Sequence, residues 1–218
     1  MDIPKLIKVK PEQTDLIERL SLMMGKSFLE EPWTEEWLTV LPDNHERKLE
    51  IACSIMRYNF ILATPYQGCW ATPDLHACAG GYLKSNLGNL IWNNLEEESF
   101  KMMYEKVLTE EEGRLLREQS AKMEILSNFQ WEEDACEGKD FIHFYALGVN
   151  ADKRGNGAFR RLMEPFFEYA DAHGINCYLE CYSDRLENLY SHFGFKEIGV
   201  FTDSAFPITE RCMVREPR

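Results

Sequence analysis

Leu6 to Val9 form a short apolar run that Pro11 ends, which predicts an opening strand. Leu16, Ile17, Leu20, Met23 and Met24 then recur at three- and four-residue spacing, the period of a helix with one buried face, and Thr14 is placed to cap it. A second helix is predicted from His45 to Leu62. It stops before Pro65, because the residue ahead of a proline avoids helical geometry. Cys69 to Ala71 and Cys78 to Leu83 predict two short strands around a turn at Thr72 to Asp74.

The pattern changes after residue 86. From Asn89 to Trp131 the chain is rich in Glu, Lys, Leu and Met. Met103, Tyr104, Val107 and Leu108 share one helical face, and Leu115, Leu116, Met123 and Leu126 another. Residues 86–131 therefore read as a helical insertion within a single domain, 1–218. The acidic runs Glu96 to Glu98 and Glu110 to Glu112 read as its solvated faces, and Glu132 to Lys139 as a polar loop.

The last third alternates. Phe141 to Val149 predicts a strand and Gly157 to His173 an amphipathic helix, with Phe159, Leu162, Met163, Phe166, Phe167 and Ala170 on its apolar side and Pro165 placed to bend it. Asn176 to Cys181 predicts a strand, Leu186 to Phe193 a short helix, and Phe195 to Phe201 and Glu210 to Val214 two further strands. That order implies an α/β sheet with a partly parallel centre.

An apolar fraction of 44% supports one sizeable core. The net charge of −13 argues against nucleic-acid backbone binding, which needs clustered Lys and Arg; it reads first as a solubility surface and is also compatible with steering of a cationic ligand. No secretory signal or apolar run of membrane-spanning length is visible, so no membrane association is expected. The seven cysteines include no C-x-x-C pair, which points to reduced thiols, no metal site and a cytoplasmic location.

The sharpest chemical signal is Leu147-Gly148-Val149 leading through Asn150 to Arg154-Gly155-Asn156-Gly157 at a helix start. Glycines let backbone approach a ligand closely, and the free N–H groups of a first helical turn face an anion. The segment is neither a Walker loop nor a dinucleotide fingerprint. Further along stands Asn188-Leu189-Tyr190-Ser191-His192-Phe193-Gly194-Phe195. The order "R-G-x-G, amphipathic helix, strand, L-Y-x-x-x-G-F" resembles the GNAT superfamily of N-acetyltransferases. Arg161 to Pro165, Ala170 to Gly174 and Tyr178-Leu179-Glu180 resemble, more narrowly, the puromycin-acetylating type.

The resemblance implies a mixed central sheet flanked by helices and splayed between its fourth and fifth strands. It implies an acetyl-CoA-binding core over residues 141–200, and acetyl-CoA as co-substrate without a metal. Cofactor contacts then fall on Leu147, Gly148 and Val149, on the phosphate loop Arg154, Gly155, Asn156, Gly157, Ala158 and Phe159, and on Asn188 and Tyr190. Tyr190 matches the family tyrosine that donates to the departing sulfur; its other reading is an aromatic packed on the sheet with its hydroxyl satisfied by backbone. Two positions depart from the family pattern. Phe159 stands where a small residue is usual, and either crowds the diphosphate or turns into the core. Leu186 stands where an asparagine is common, a role Asn188 would take over.

His143 titrates near neutral pH and is one candidate general base; it reads equally as a packed strand histidine. Glu180 is the other; it reads equally as a partner of Arg160, Arg161 or Arg185. The acceptor implied is a small-molecule amine, and the protein a monomer or homodimer. A non-catalytic CoA-binding sensor or interaction module and a protein N-acetyltransferase remain as alternatives.

Overall fold

A computed structural model of the chain describes residues 1–128 and 130–218. Phe129, inside the segment read as an insertion, lies outside the described residues. The strands are β1 (Ile7–Lys8), β2 (Cys69–Ala71), β3 (Ala77–Leu83), β4 (Phe141–Val149), β5 (Asn176–Cys181), β6 (Lys196–Thr202) and β7 (Thr209–Arg215). The helices are α1 (Thr14–Phe28), α2 (Pro32–Trp37), α3 (His45–Ala63), α4 (Trp92–Lys106), α5 (Glu110–Met123), α6 (Trp131–Ala135), α7 (Ala158–His173) and α8 (Asp184–His192).

The seven strands form one mixed sheet in the order β1-β2-β3-β4-β5-β7-β6. All neighbours are antiparallel except β4 and β5, the parallel pair that the β4–α7–β5 crossover requires. Helix α7 packs Leu162, Met163, Phe166 and Ala170 onto one sheet face with Phe144 and Trp70. It continues unbroken through Pro165. On the other face α1 and α3 bury Ile17, Leu20, Met24, Ile51 and Phe60. Helices α4 to α6 join that side through Trp92 and Trp131, which pack with Tyr82, Phe141 and Tyr178.

Three local expectations are corrected. Thr14 does not cap α1. It is the first helical residue, and the preceding Gln13 begins the hydrogen-bond ladder by accepting from Ile17 N–H at 3.0 Å. The predicted polar loop after Trp131 contains α6, whose Glu132 is buried at 2% exposure. The acidic runs are only partly solvated: Glu96 is half-buried, and Glu112 accepts a bidentate pair from Arg47 at 2.8 and 2.7 Å. For the acidic positions, tertiary packing overrides a local polarity signal.

Candidate active site

Strands β4 and β5 pair only from Phe141↔Asn176 to Phe144↔Leu179. Beyond that point they separate. The cause lies on β4. Against β3, Gly80 faces Ala146 and Gly81 faces Phe144, so Tyr145 is an extra residue, a bulge that bends the strand. Gly80 makes room for it: a Cβ there would lie 2.3 Å from the Tyr145 ring. The ring stacks on Trp92 at 3.7 Å, and its hydroxyl donates to Gly68 O at 2.9 Å. The backbone of Ala146 to Val149 is thereby left without a strand partner on its β5 side.

A cavity of about 590 Å³ opens at this split. At one end it is lined by Leu147, Val149, Arg154, Gly155, Gly157, Ala158 and Phe159. Gly155 and Gly157 have φ of +79° and +73°, a left-handed conformation that glycine adopts without steric cost. The first intrahelical bond of α7 runs from Arg161 N–H to Gly157 O at 3.0 Å, so the N–H groups of Gly157 to Arg160 precede the ladder. This loop fits a diphosphate. Phe159 turns its ring away from the loop toward Phe193 and Tyr190, at 5.2 and 6.0 Å. The Arg154 guanidinium is held by Glu30 at 2.7 Å.

Three residues with predicted cofactor contacts are not among those that line the cavity. Gly148 does not line the cavity. A Cβ there would meet Met24 Sδ at 2.7 Å, so the close approach it permits is to α1. Asn156 is exposed on the loop and uses its carbonyl to accept from Arg161 at 3.0 Å. Asn188 is exposed on α8, outside the lining, and donates to Asp184 O at 2.7 Å, so it does not replace a contact at Leu186. Leu186 itself lines the cavity, and the α8 cap comes from Ser183.

Tyr190 is 6% exposed and lines the cavity between Phe159 and Phe195. Its hydroxyl has no hydrogen-bond partner among the described residues, so the backbone-satisfied alternative does not hold. Burial, reinforced by Glu31, pushes its pKa well up, which keeps the hydroxyl a donor.

At the other end the two rival bases meet. His143 Nε2 lies 3.0 Å from both oxygens of Glu180. Trp131 Nε1 donates to Glu180 Oε1 at 2.5 Å, and the Tyr82 hydroxyl lies 3.1 Å from His143 Nδ1. Burial opposes a charge on His143, but Glu180 and Glu132 outweigh it and raise its pKa from 6.5 to about 9. The imidazole is therefore a cation at neutral pH, and its Nε2–H donates to Glu180.

The sequence reading missed the groups around this pair. Glu132 Oε1 is 3.7 Å from His143 Nδ1. Glu96 and Glu210 line the same cavity, Glu210 accepting from Ser127 Oγ at 2.9 Å and from the Tyr182 hydroxyl at 3.1 Å. Burial, with repulsion from Glu180, raises Glu96 to about 7 and Glu210 to about 8; burial also raises Glu132 to about 7, despite the His143 charge. The acidic runs were visible as charge, but nothing local distinguished Glu96 from its exposed neighbours.

No protein-family model matches the chain. It is 36% identical over 90 residues to an uncharacterised N-acetyltransferase of Schizosaccharomyces pombe, a match spanning 38% of this chain and 36% of that protein. Among solved structures it is similar to the polyamine N-acetyltransferase of Drosophila melanogaster (18% identity, TM-score 0.55, covering 97% and 98% of the two chains). It is also similar to arylalkylamine N-acetyltransferase 2 of Aedes aegypti (14% identity, TM-score 0.53, covering 98% of each). The mixed sheet with its parallel β4–β5 pair is the fold of the GNAT acetyltransferases.

Proposed function

We propose that the protein transfers the acetyl group of acetyl-CoA directly to a primary amine of a small molecule. One observation carries this: a single cavity joins the glycine loop of α7, the unpaired β4 edge and the His143–Glu180 pair. Acetyl-CoA supplies the acyl group. The N–H groups of Gly157 to Arg160 hold its diphosphate, and the β4 edge past Phe144 pairs with its amide-bearing arm. Glu180 accepts the proton that the amine must lose. His143, already protonated, fixes that carboxylate and balances its charge. Backbone N–H at Val149 faces the charge that develops on the thioester oxygen. Tyr190 donates to the sulfur as it leaves.

A small acceptor is supported by the insertion, since α4 and α6 wall the cavity with Trp92, Glu96, Trp131 and Glu132. The narrower resemblance to puromycin-acetylating enzymes, and the likeness in fold to acetyltransferases of polyamines and arylalkylamines, support the same choice. Calorimetric titration with acetyl-CoA, CoA and ATP, followed by thiol release with a panel of amines, tests the reading. Binding of both CoA species but not ATP, with amine-dependent thiol release, is expected. Absence of acetyl-CoA binding at millimolar concentration overturns it.

A further inference from the structure

The acceptor end of the cavity gathers four carboxyl groups, those of Glu96, Glu132, Glu180 and Glu210. His143 is the cation there, and Glu180 is committed to it and to Trp131. The Glu210 carboxylate is satisfied by two hydroxyls. Glu96, on α4, lines the cavity with no ion-pair partner among the described residues.

A second feature points to the same place. Asn59 on α3 is 4% exposed and lines the cavity, and its Oδ1 has no hydrogen-bond partner among the described residues. A buried orphan acceptor is costly unless a ligand donates to it. Helices α3 and α4 run antiparallel. Arg47 donates to Val107 O at 2.8 Å at one end, and Ser99 approaches Ile55 O at 3.4 Å further along. One turn onward from Ile55 is Asn59, and just under one turn back from Ser99 is Glu96, so the two stand at the same level, displaced by about 6 and 4.5 Å along their axes. Trp92, one turn before Glu96, lines the cavity beside them, its ring stacked on Tyr145 at 3.7 Å.

We propose that Glu96 and Asn59 form a receptor for a second cationic centre, so that the acceptor is an α,ω-diamine or longer polycation whose reacting amine lies at Glu180 and whose distal ammonium donates to Glu96 and to Asn59 Oδ1. This rests on the acetyl-transfer reading of the cavity. Burial, with repulsion from Glu180 and Glu132 against the pull of His143, raises the Glu96 pKa to about 7, and Glu210 faces it as well.

The test is calorimetric titration of the whole chain, saturated with CoA at pH 7, with α,ω-diaminobutane and with n-butylamine. It reads binding whether or not turnover occurs. The diamine is expected to bind at least ~10-fold more tightly, and Glu96→Gln to remove that preference while n-butylamine affinity stays within ~2-fold. Diamine binding is also expected to release protons in the wild type and not in Glu96→Gln, seen as a buffer-dependent heat. Asn59→Leu removes an unpaired buried polar atom, so it should leave the unfolding temperature equal or higher while weakening the diamine several-fold. A purely structural asparagine would lose stability and leave amine affinity alone. Equal affinity for the two amines, or a preference that survives Glu96→Gln, overturns the second site. If the preference and its loss are found but no amine releases thiol, the transfer reading fails and the site stands.

Discussion

His143 and Glu180, the two candidate bases, meet in one hydrogen-bonded pair at 3.0 Å. On the proposed reading, a histidine held as a cation leaves the amine proton to Glu180, and His143 positions that carboxylate. Glu180→Gln should lower kcat by about 10²–10⁴-fold, the range for loss of a positioned base, with acetyl-CoA affinity unchanged in titration. His143→Gln keeps hydrogen bonding but removes the charge, and should cost less. A Glu180→Gln enzyme with near-normal kcat removes this assignment. Tyr190 is a separate case, because its hydroxyl has no hydrogen-bond partner among the described residues. Tyr190→Phe should reduce kcat by about 10-fold or more while CoA binding changes by less than about 3-fold. The unfolding temperature should hold, since no internal hydrogen bond is lost. An unchanged kcat returns Tyr190 to a packing role.

At the scale of elements, the decisive feature is a one-residue bulge. Tyr145 adds a residue to β4, Gly80 on β3 gives its ring space, and the parallel pair with β5 ends one residue earlier, at Phe144. The bend converts a closed sheet into a cleft with a free strand edge. Directly above it the loop from β4 to α7 turns on Gly155 and Gly157, whose left-handed φ costs most other residues roughly 1–2 kcal/mol. Gly157→Asp adds that strain and a negative charge beside the first-turn N–H groups. It should abolish acetyl-CoA binding in titration, whereas Gly157→Ala, with the strain alone, should retain weakened binding. Wild-type affinity in the aspartate variant would show that the phosphates sit elsewhere.

On the scale of the molecule, one cavity gathers His143, Glu96, Glu132, Glu180 and Glu210 from three strands and two helices. Such crowding shapes the pH dependence of stability. The His143 pKa is raised from 6.5 to about 9, so its stabilising contribution is complete below pH 6.5 and gone above about 9. Glu96 and Glu132, raised to about 7, and Glu210, raised to about 8, penalise the folded state as pH climbs from 4.5 through those values. All four groups hold more protons folded than unfolded, so stability falls as pH rises. The ligand-free protein should melt lower at pH 9 than at pH 6, by on the order of 5 °C, and Glu210→Gln should flatten the slope. A flat or rising melting temperature across that window contradicts the charge arrangement. Bound polycation should restore much of the loss, because it supplies the missing counter-charge.

The order of elements and the glycine turn ahead of α7 were legible in the sequence, because the signals involved are local. Period-two and period-3.6 apolar patterns placed β4, α7 and β5 within a residue of their ends, and Gly155 and Gly157 marked a turn that only the backbone around them has to satisfy. The motif ending in Gly194-Phe195 singled out Tyr190, which lines the same cavity as that turn. Strand pairing and side-chain neighbours are different in kind. Gly148 looked like a ligand approach, and a Cβ there would also meet Met24, 124 positions earlier. Glu96 looked like its exposed neighbours Glu97 and Glu98, and Asn59 like any polar position in a helix. His143 and Glu180 were each legible as candidates, but not as a pair. Which carboxylate loses its water and which amide loses its partner is decided by contacts between residues far apart in the chain, and those exist only once the sheet has split and the helices have closed over it.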